Sequence, residues 1–315
     1  MKYRKLGKNG PEISVIGFGS WAIGGGWASG WGDQDDQISS ESVRAALAVG
    51  ITFYDTAAVY GLGHSEVVIG QAIKGNRDKV ILATKCGLIW DEKGTVSKNG
   101  TFNSVIQEAE ASLRRLDTDY IDLYQMHWPD TDTNASAEET MRAMDKLVQD
   151  GKIRYVGVSN YNIAQLEESL KVRHIDALQP PYSILRPAAE KELLPFCHEK
   201  GIGVVGYSSL TSGLLSGNYT NDTTFDAGDW RSRNKAHTGE GLKKNVELAE
   251  KLKVIASRLD LTLPQLAVAY TLAHPALTSA IVGVRKPSHI TSVLPAVDVT
   301  LDEATLVEIR EIAAS

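Results

Sequence analysis

The chain has 315 residues, 43% hydrophobic and 23% charged, enough for one large or two ordinary domains of globular type. Its net charge of -6, with both signs interspersed, provides no basic stripe for nucleic acid or an anionic membrane. No run approaches the ~20 apolar residues of a membrane span, no signal peptide opens the chain, Cys86 and Cys197 make no disulfide framework, and the histidines lack metal-ligand spacing; a metal-free cytoplasmic protein is expected.

Eight short apolar runs recur along the chain: Val15–Phe18, Thr52–Asp55, Val80–Lys85, Ile121–Met126, Tyr155–Ser159, Ala177–Gln179, Gly203–Tyr207 and Ser279–Val282. They are continuous rather than alternating, as in parallel strands buried on both faces. Amphipathic stretches separate them, opening at Ser39, Ser65, Asn103, Ser136, Asn162 and Pro187, the last running to Gly201. Eight strand–helix units predict an α/β fold of the (β/α)₈ barrel type, read as one domain over residues 1–315. An open doubly wound sheet is the weaker alternative. Gly17-Phe18-Gly19-Ser20-Trp21-Ala22 has the spacing of a dinucleotide turn, but a glycine-rich arm follows where that motif needs a helix. Met1–Ile13, with its Asn9-Gly10-Pro11 turn signal, is expected to form a hairpin plugging the barrel bottom. A long polar loop, Ser216–Gly241, precedes two extra helices at Lys243–Leu259 and Pro264–His274, and a last helix follows Asp302.

Barrel strands deliver their C-terminal ends to one mouth. Asp55 ends the second run and Tyr60 follows it, Lys85 ends the third, and His127 follows the fourth. Singly these are ordinary residues: a turn carboxylate, an interfacial ring, a snorkelling lysine, a loop histidine. At three consecutive strand ends they form a chemical set. Lys85 is expected to lower the Tyr60 pKa while Asp55 holds the lysine, making Tyr60 a general acid for a carbonyl oxygen that His127 orients. No serine or cysteine nucleophile with a paired base stands out. Protonating an oxyanion without covalent catalysis suits reduction by hydride, which requires a cofactor.

The segments around these residues resemble the aldo-keto reductase family over essentially the full chain. They are Ile13–Trp21, Asp55–Gly61, Ala83–Lys85, Asp119–His127, Gly151–Asn160 and Gln179–Tyr182. The resemblance implies a (β/α)₈ barrel, NAD(P)-dependent interconversion of carbonyls and alcohols, and the tetrad Asp55, Tyr60, Lys85 and His127. It further implies cofactor contacts from Ser20, Trp21, Asp55, Ser159, Asn160 and Gln179, a nicotinamide stacked on Tyr207, and a pyrophosphate cradle at Ser208, Leu210, Ser212, Gly213 and Leu214. Gly283, Arg285, Lys286 and His289 fall at the adenosine end, where two adjacent cations suit a 2′-phosphate and favour NADPH over NADH. Many relatives place glutamine and asparagine where this chain has His289 and Val293, and a long C-terminal closing loop is missing. Trp21, Trp27, Trp31, Trp128 and Trp230 are therefore the expected walls for a flat or sugar-like small-molecule substrate, with Trp230-Arg231-Ser232-Arg233 reaching over the cofactor. The competing expectations are a cofactor-sensing regulatory subunit like the β subunits of potassium channels, and a nicotinamide-independent barrel lyase or isomerase.

Overall fold

A computed structural model describes residues 1–315. The N-terminal hairpin pairs β1 (Tyr3–Lys5) with β2 (Glu12–Ser14), Arg4 opposite Ile13. Eight parallel strands then close into a barrel: β3 (Ile16–Gly19), β4 (Phe53–Asp55), β5 (Ile81–Cys86), β8 (Ile121–Met126), β9 (Ile153–Ser159), β10 (Ala177–Gln179), β11 (Gly203–Gly206) and β12 (Leu277–Gly283). These are the eight predicted runs, shifted by at most two residues at either end. Closure comes from β12 pairing with β3, Ala280 opposite Ile16, which rules out the open sheet.

Helices α1 (Asp36–Ala48), α2 (His64–Ile73), α3 (Phe102–Leu116), α4 (Ala137–Gln149), α5 (Ile163–Leu170) and α6 (Leu193–Lys200) surround the strands. They are followed by α7 (Gly239–Arg258), α8 (Leu263–Ala273), the short α9 (Pro287–Thr291) and α10 (Glu303–Ala314). Their starts are set by caps. Asp35, Ser136, Asn162, Thr262 and Asp302 each accept a hydrogen bond from a first-turn N–H, and Asn162 and Thr262 form complete capping boxes.

Two expectations fail locally. The helix predicted from Pro187 to Gly201 is a 3₁₀ turn at Pro187–Glu190 followed by α6. An unbroken helix would carry Pro195 in its interior, where its ring meets a carbonyl and its missing N–H breaks the ladder; restarting at Leu193 moves Pro195 into a first turn. The chain after β5 also forms an unpredicted hairpin, β6 (Leu88–Trp90) with β7 (Val96–Lys98), turned by Asp91 Oδ1 accepting from Lys93 N and Thr95 N.

The core has two parts. Sixty buried residues fill the layer around strands and helices. Leu6 and Ile13 of the first hairpin join Phe53, Ala83, Leu123, Ala177, Val205 and Ile281 in a separate cluster. Both hairpin residues are fully buried, and Lys8 N donates to Gly201 O at 2.8 Å. The hairpin thus seals the end of the barrel opposite the mouth, held by the ~1.5–3 kcal/mol that each large apolar side chain contributes on burial. No helix is long and apolar enough to cross a membrane.

Candidate active site

At the mouth, neighbouring strand ends are tied by backbone bonds that continue past the strands. Ser20 N donates to Asp55 O at 3.0 Å, Thr56 N to Ala83 O at 2.9 Å and His127 N to Cys86 O at 2.9 Å. Tyr60 reaches the same place through a turn in which its N–H donates to Ala57 O at 3.1 Å. Gly61 is required there. Its φ is +61°, and a Cβ would lie 2.1 Å from Gly24 O, so a side chain would push the Trp21–Gly24 turn off the tyrosine.

The four side chains converge. Lys85 Nζ lies 2.7 Å from Asp55 Oδ2 and 2.9 Å from Oδ1, donates to Thr56 O at 2.8 Å, and stands 3.3 Å from the Tyr60 hydroxyl. The Tyr60 and His127 rings meet edge to face at 5.7 Å. Gln179 Nε2 donates to Asp55 Oδ1 at 2.7 Å, with Gln125 Nε2 at 3.4 Å from the same oxygen. Gln179 was expected to serve the cofactor carboxamide; its amide nitrogen is engaged by Asp55. Gln125 escaped the sequence reading, although its position two residues before His127 on one strand face carried the signal.

The electrostatics correct one expectation. Lys85 does not draw the phenol down: burial, with Asp55 adding, holds Tyr60 well above the ordinary tyrosine range. The reason is geometric. The ammonium is matched by Asp55 at 2.7 Å, so the phenol faces a neutralised pair rather than a free cation. Burial lowers the Lys85 pKa while Asp55 pulls the other way, and burial with the Lys85 charge holds His127 well below its ordinary range. The mouth therefore carries a protonated phenol and a neutral imidazole, both able to donate to one oxygen.

From this point a cleft of about 660 Å³ runs across the top of the barrel. Of the cofactor positions, Trp21, Asp55, Ser159, Asn160, Gln179, Tyr207, Ser208, Leu210, Ser212, Gly213, Gly283, Arg285 and His289 line it. Ser20, Leu214 and Lys286 do not. Ser20 is buried and accepts from Ser65 Oγ at 2.9 Å, Leu214 is buried, and Lys286 is exposed. Tyr207 donates from its hydroxyl to Asn160 Oδ1 at 2.8 Å, and Asn160 Nδ2 donates to His127 O at 3.0 Å. Ser208, Thr211 and Ser212 have φ of 68°, 46° and 53°. Three side-chain-bearing residues in the left-handed region within one turn mark a strained backbone of the kind kept at ligand clamps. The tetrad, the polar turn at residues 208–213 and Arg285 share this one cleft, donors chemically suited to the amide and phosphates of a nicotinamide dinucleotide.

Trp27, Trp31 and Trp128 line the cleft, and Trp230 does not. Trp230 instead stacks on Trp21 at 5.3 Å and meets Trp31 edge to face at 5.9 Å. The long loop carrying it crosses the cleft. Trp230 N donates to Gly30 O at 3.1 Å, Arg233 to Ala28 O at 3.0 Å, and Arg231 lies over the Trp31 ring at 4.4 Å while paired with Asp229 at 2.5 Å. Leu88, from the unpredicted hairpin, and Tyr219 complete the walls.

The crossing loop contains a pH-sensitive contact. His237 packs against Trp230 at 5.4 Å and Phe225 at 5.9 Å, and burial, with Arg231 adding, lowers its pKa to about 4 from 6.5. A released loop takes up a proton between those values and the packed loop does not, so packing is fully favoured above pH 6.5 and weakens as pH falls through 4. Tryptophan emission should shift red over that interval in the wild type, and His237→Phe should flatten the transition; an identical transition in the variant contradicts the assignment.

Comparison with known proteins agrees with the geometry. The family model described as aldo/keto reductase matches residues 15–314. The chain is 40% identical to aldo-keto reductase YhdN of Bacillus subtilis, covering 92% of this chain and 87% of that protein. It is 36% identical to the NADH-specific methylglyoxal reductase of Escherichia coli, covering 99% and 98%. The solved glycerol dehydrogenase AKR11B4 from Gluconobacter oxydans superposes with a TM-score of 0.89 at 34% identity, over 99% of this chain and 94% of that one. With a closed barrel, four converging side chains and a cleft of about 660 Å³ at its mouth, the chain belongs to the aldo/keto reductase family, nicotinamide-dependent oxidoreductases that interconvert carbonyl compounds and alcohols.

Proposed function

We propose that this protein is an NADPH-preferring, cytoplasmic reductase of small hydroxylated or sugar-like carbonyl compounds, with Tyr60 as proton donor. The observation that carries the reading is the Tyr60 hydroxyl set 3.3 Å from an ammonium already matched by Asp55. The bound nicotinamide supplies the hydride. Tyr60 holds a proton for the carbonyl oxygen as charge develops on it, His127 donates to the same oxygen, and Asp55 keeps Lys85 beside the phenol. As proton leaves Tyr60, Lys85 Nζ, 3.3 Å away, keeps a hydrogen bond to the phenol oxygen. Tyr207, Asn160 and Ser159 support the nicotinamide end and the turn at 208–213 the pyrophosphate.

The Escherichia coli relative is NADH-specific by name, so the NADPH preference rests on Arg285 lining the cleft. The substrate reading rests on Trp21, Trp27, Trp31 and Trp128 around the mouth. Their indole faces offer a flat apolar wall against which such a compound would pack. Titration of the apo protein with NADPH and NADH, followed by turnover of glyceraldehyde, methylglyoxal and nitrobenzaldehyde, tests the proposal. Tighter NADPH binding and reduction of the short hydroxylated aldehyde are expected. Cofactor binding without turnover of any carbonyl would instead indicate a cofactor-sensing subunit, and binding of neither cofactor would overturn the reading.

A further inference from the structure

Two arginines line the cleft, and they are held differently. Arg231 is neutralised by a carboxylate, its Nε lying 3.0 Å from Asp229 Oδ1. Arg285 has only neutral acceptors. Its Nε donates to Gln34 Oε1 at 2.9 Å and its terminal nitrogen to Asp33 O at 2.8 Å. Gln34 in turn donates through Nε2 to the Arg285 carbonyl at 2.9 Å and to Ser39 Oγ at 3.2 Å. Ser39 Oγ is anchored to Asp35 O at 2.8 Å, at the start of α1.

Each atom of the Gln34 amide is therefore assigned by its neighbours: nitrogen toward two acceptors, oxygen toward the guanidinium. A guanidinium has five N–H donors, and these bonds use two of them. The remaining fork makes no hydrogen bond or ion pair with a carboxylate, although Asp229 lies near enough to feel its charge. His289 beside it is held neutral by burial and by the charges of Lys286 and Arg285, so it accepts from Arg285 N without competing for an anion.

We propose that Gln34 is a positioning residue that holds Arg285 free of any carboxylate ion pair for the 2′-phosphate of NADPH, and thereby sets the choice between the two nicotinamide cofactors. The inference rests on the placement of the adenosine end at Arg285. A carboxylate at position 34 would reach the same guanidinium, neutralise it and repel a phosphate. An apolar side chain there would leave the charge but remove the tether. A merely structural bridge between α1 and the segment after β12 would, by contrast, affect both cofactors alike.

The test is calorimetric titration of the apo protein with NADPH and with NADH, for the wild type, Gln34→Glu and Gln34→Leu, with thermal unfolding as a check on folding. In Gln34→Glu the NADPH Kd should rise at least about tenfold, the scale of a lost charge-assisted pair, while the NADH Kd stays within about twofold. Gln34→Leu should raise the NADPH Kd about threefold, with NADH again little changed. An unchanged ratio of the two constants, or a parallel rise in both, overturns the proposal. Should Gln34→Glu not fold, the ratio in Gln34→Leu decides alone. The wild-type ratio separately tests the NADPH preference. If it favours NADH, that preference fails, while the role of Gln34 still stands or falls on the variants.

Discussion

Tyr60→Phe should leave NADPH binding intact and lower carbonyl reduction by roughly 10²- to 10⁴-fold, the usual scale for losing a positioned general acid. The substitution removes one oxygen from a ring already packed against His127 at 5.7 Å and Lys85 at 5.0 Å, so the mouth keeps its shape. Because burial and Asp55 hold the phenol protonated, the wild type has its acid ready across the neutral range without needing Lys85 to depress it first. The measurement is single-turnover reduction beside a cofactor titration. Full activity in the variant would sink the proton-donor assignment, and loss of cofactor binding would show that the ring acts elsewhere.

Lys85→Met should be costlier to the fold than to cofactor affinity. Lys85 and Asp55 are 0% and 5% exposed, and removing the ammonium leaves a carboxylate dry and unmatched, worth about 3–5 kcal/mol of stability. The two glutamines on Asp55 cannot supply the missing charge. Adding Asp55→Asn should restore most of the loss, since a neutral amide no longer needs a cation, yet activity should remain absent in the double variant. Urea unfolding of the wild type and the two variants checks this. Equal stability of wild type and Lys85→Met would show that the pair is not isolated from water.

Much of the architecture was legible because the physics is local. Strands buried on both faces read as unbroken apolar runs, and a barrel converts their ends into neighbours, so Asp55, Lys85 and His127 could be grouped across more than 70 residues of sequence. What escaped depends on partners chosen in three dimensions. The break before α6 required weighing Pro195 against the apparent helix start at Pro187. The direction of the Tyr60 shift turns on whether Lys85 is free or matched, a matter of ångströms. Gln34, Gln125 and the nitrogen of Gln179 are neutral amides whose importance comes wholly from what they touch. Ser20 and Lys286, placed at the cofactor by resemblance, lie outside the cleft because one is locked beneath the strand tops and the other points to solvent.

The seam between β12 and β3 bears on how the molecule comes into being. Ile16 finds its strand partner only at Ala280, so the barrel cannot close until nearly the whole chain exists. During synthesis β3 waits as an unpaired edge. The first hairpin waits too, since Gly7 nests against Gly201 and Gly203, and Arg4 donates to Leu277 O at 2.7 Å. Such long-range pairing forms slowly because loop closure must precede it. The earliest-made residues are thus among the last to be secured, and the nascent enzyme is most prone to misassociation just before its final strand arrives.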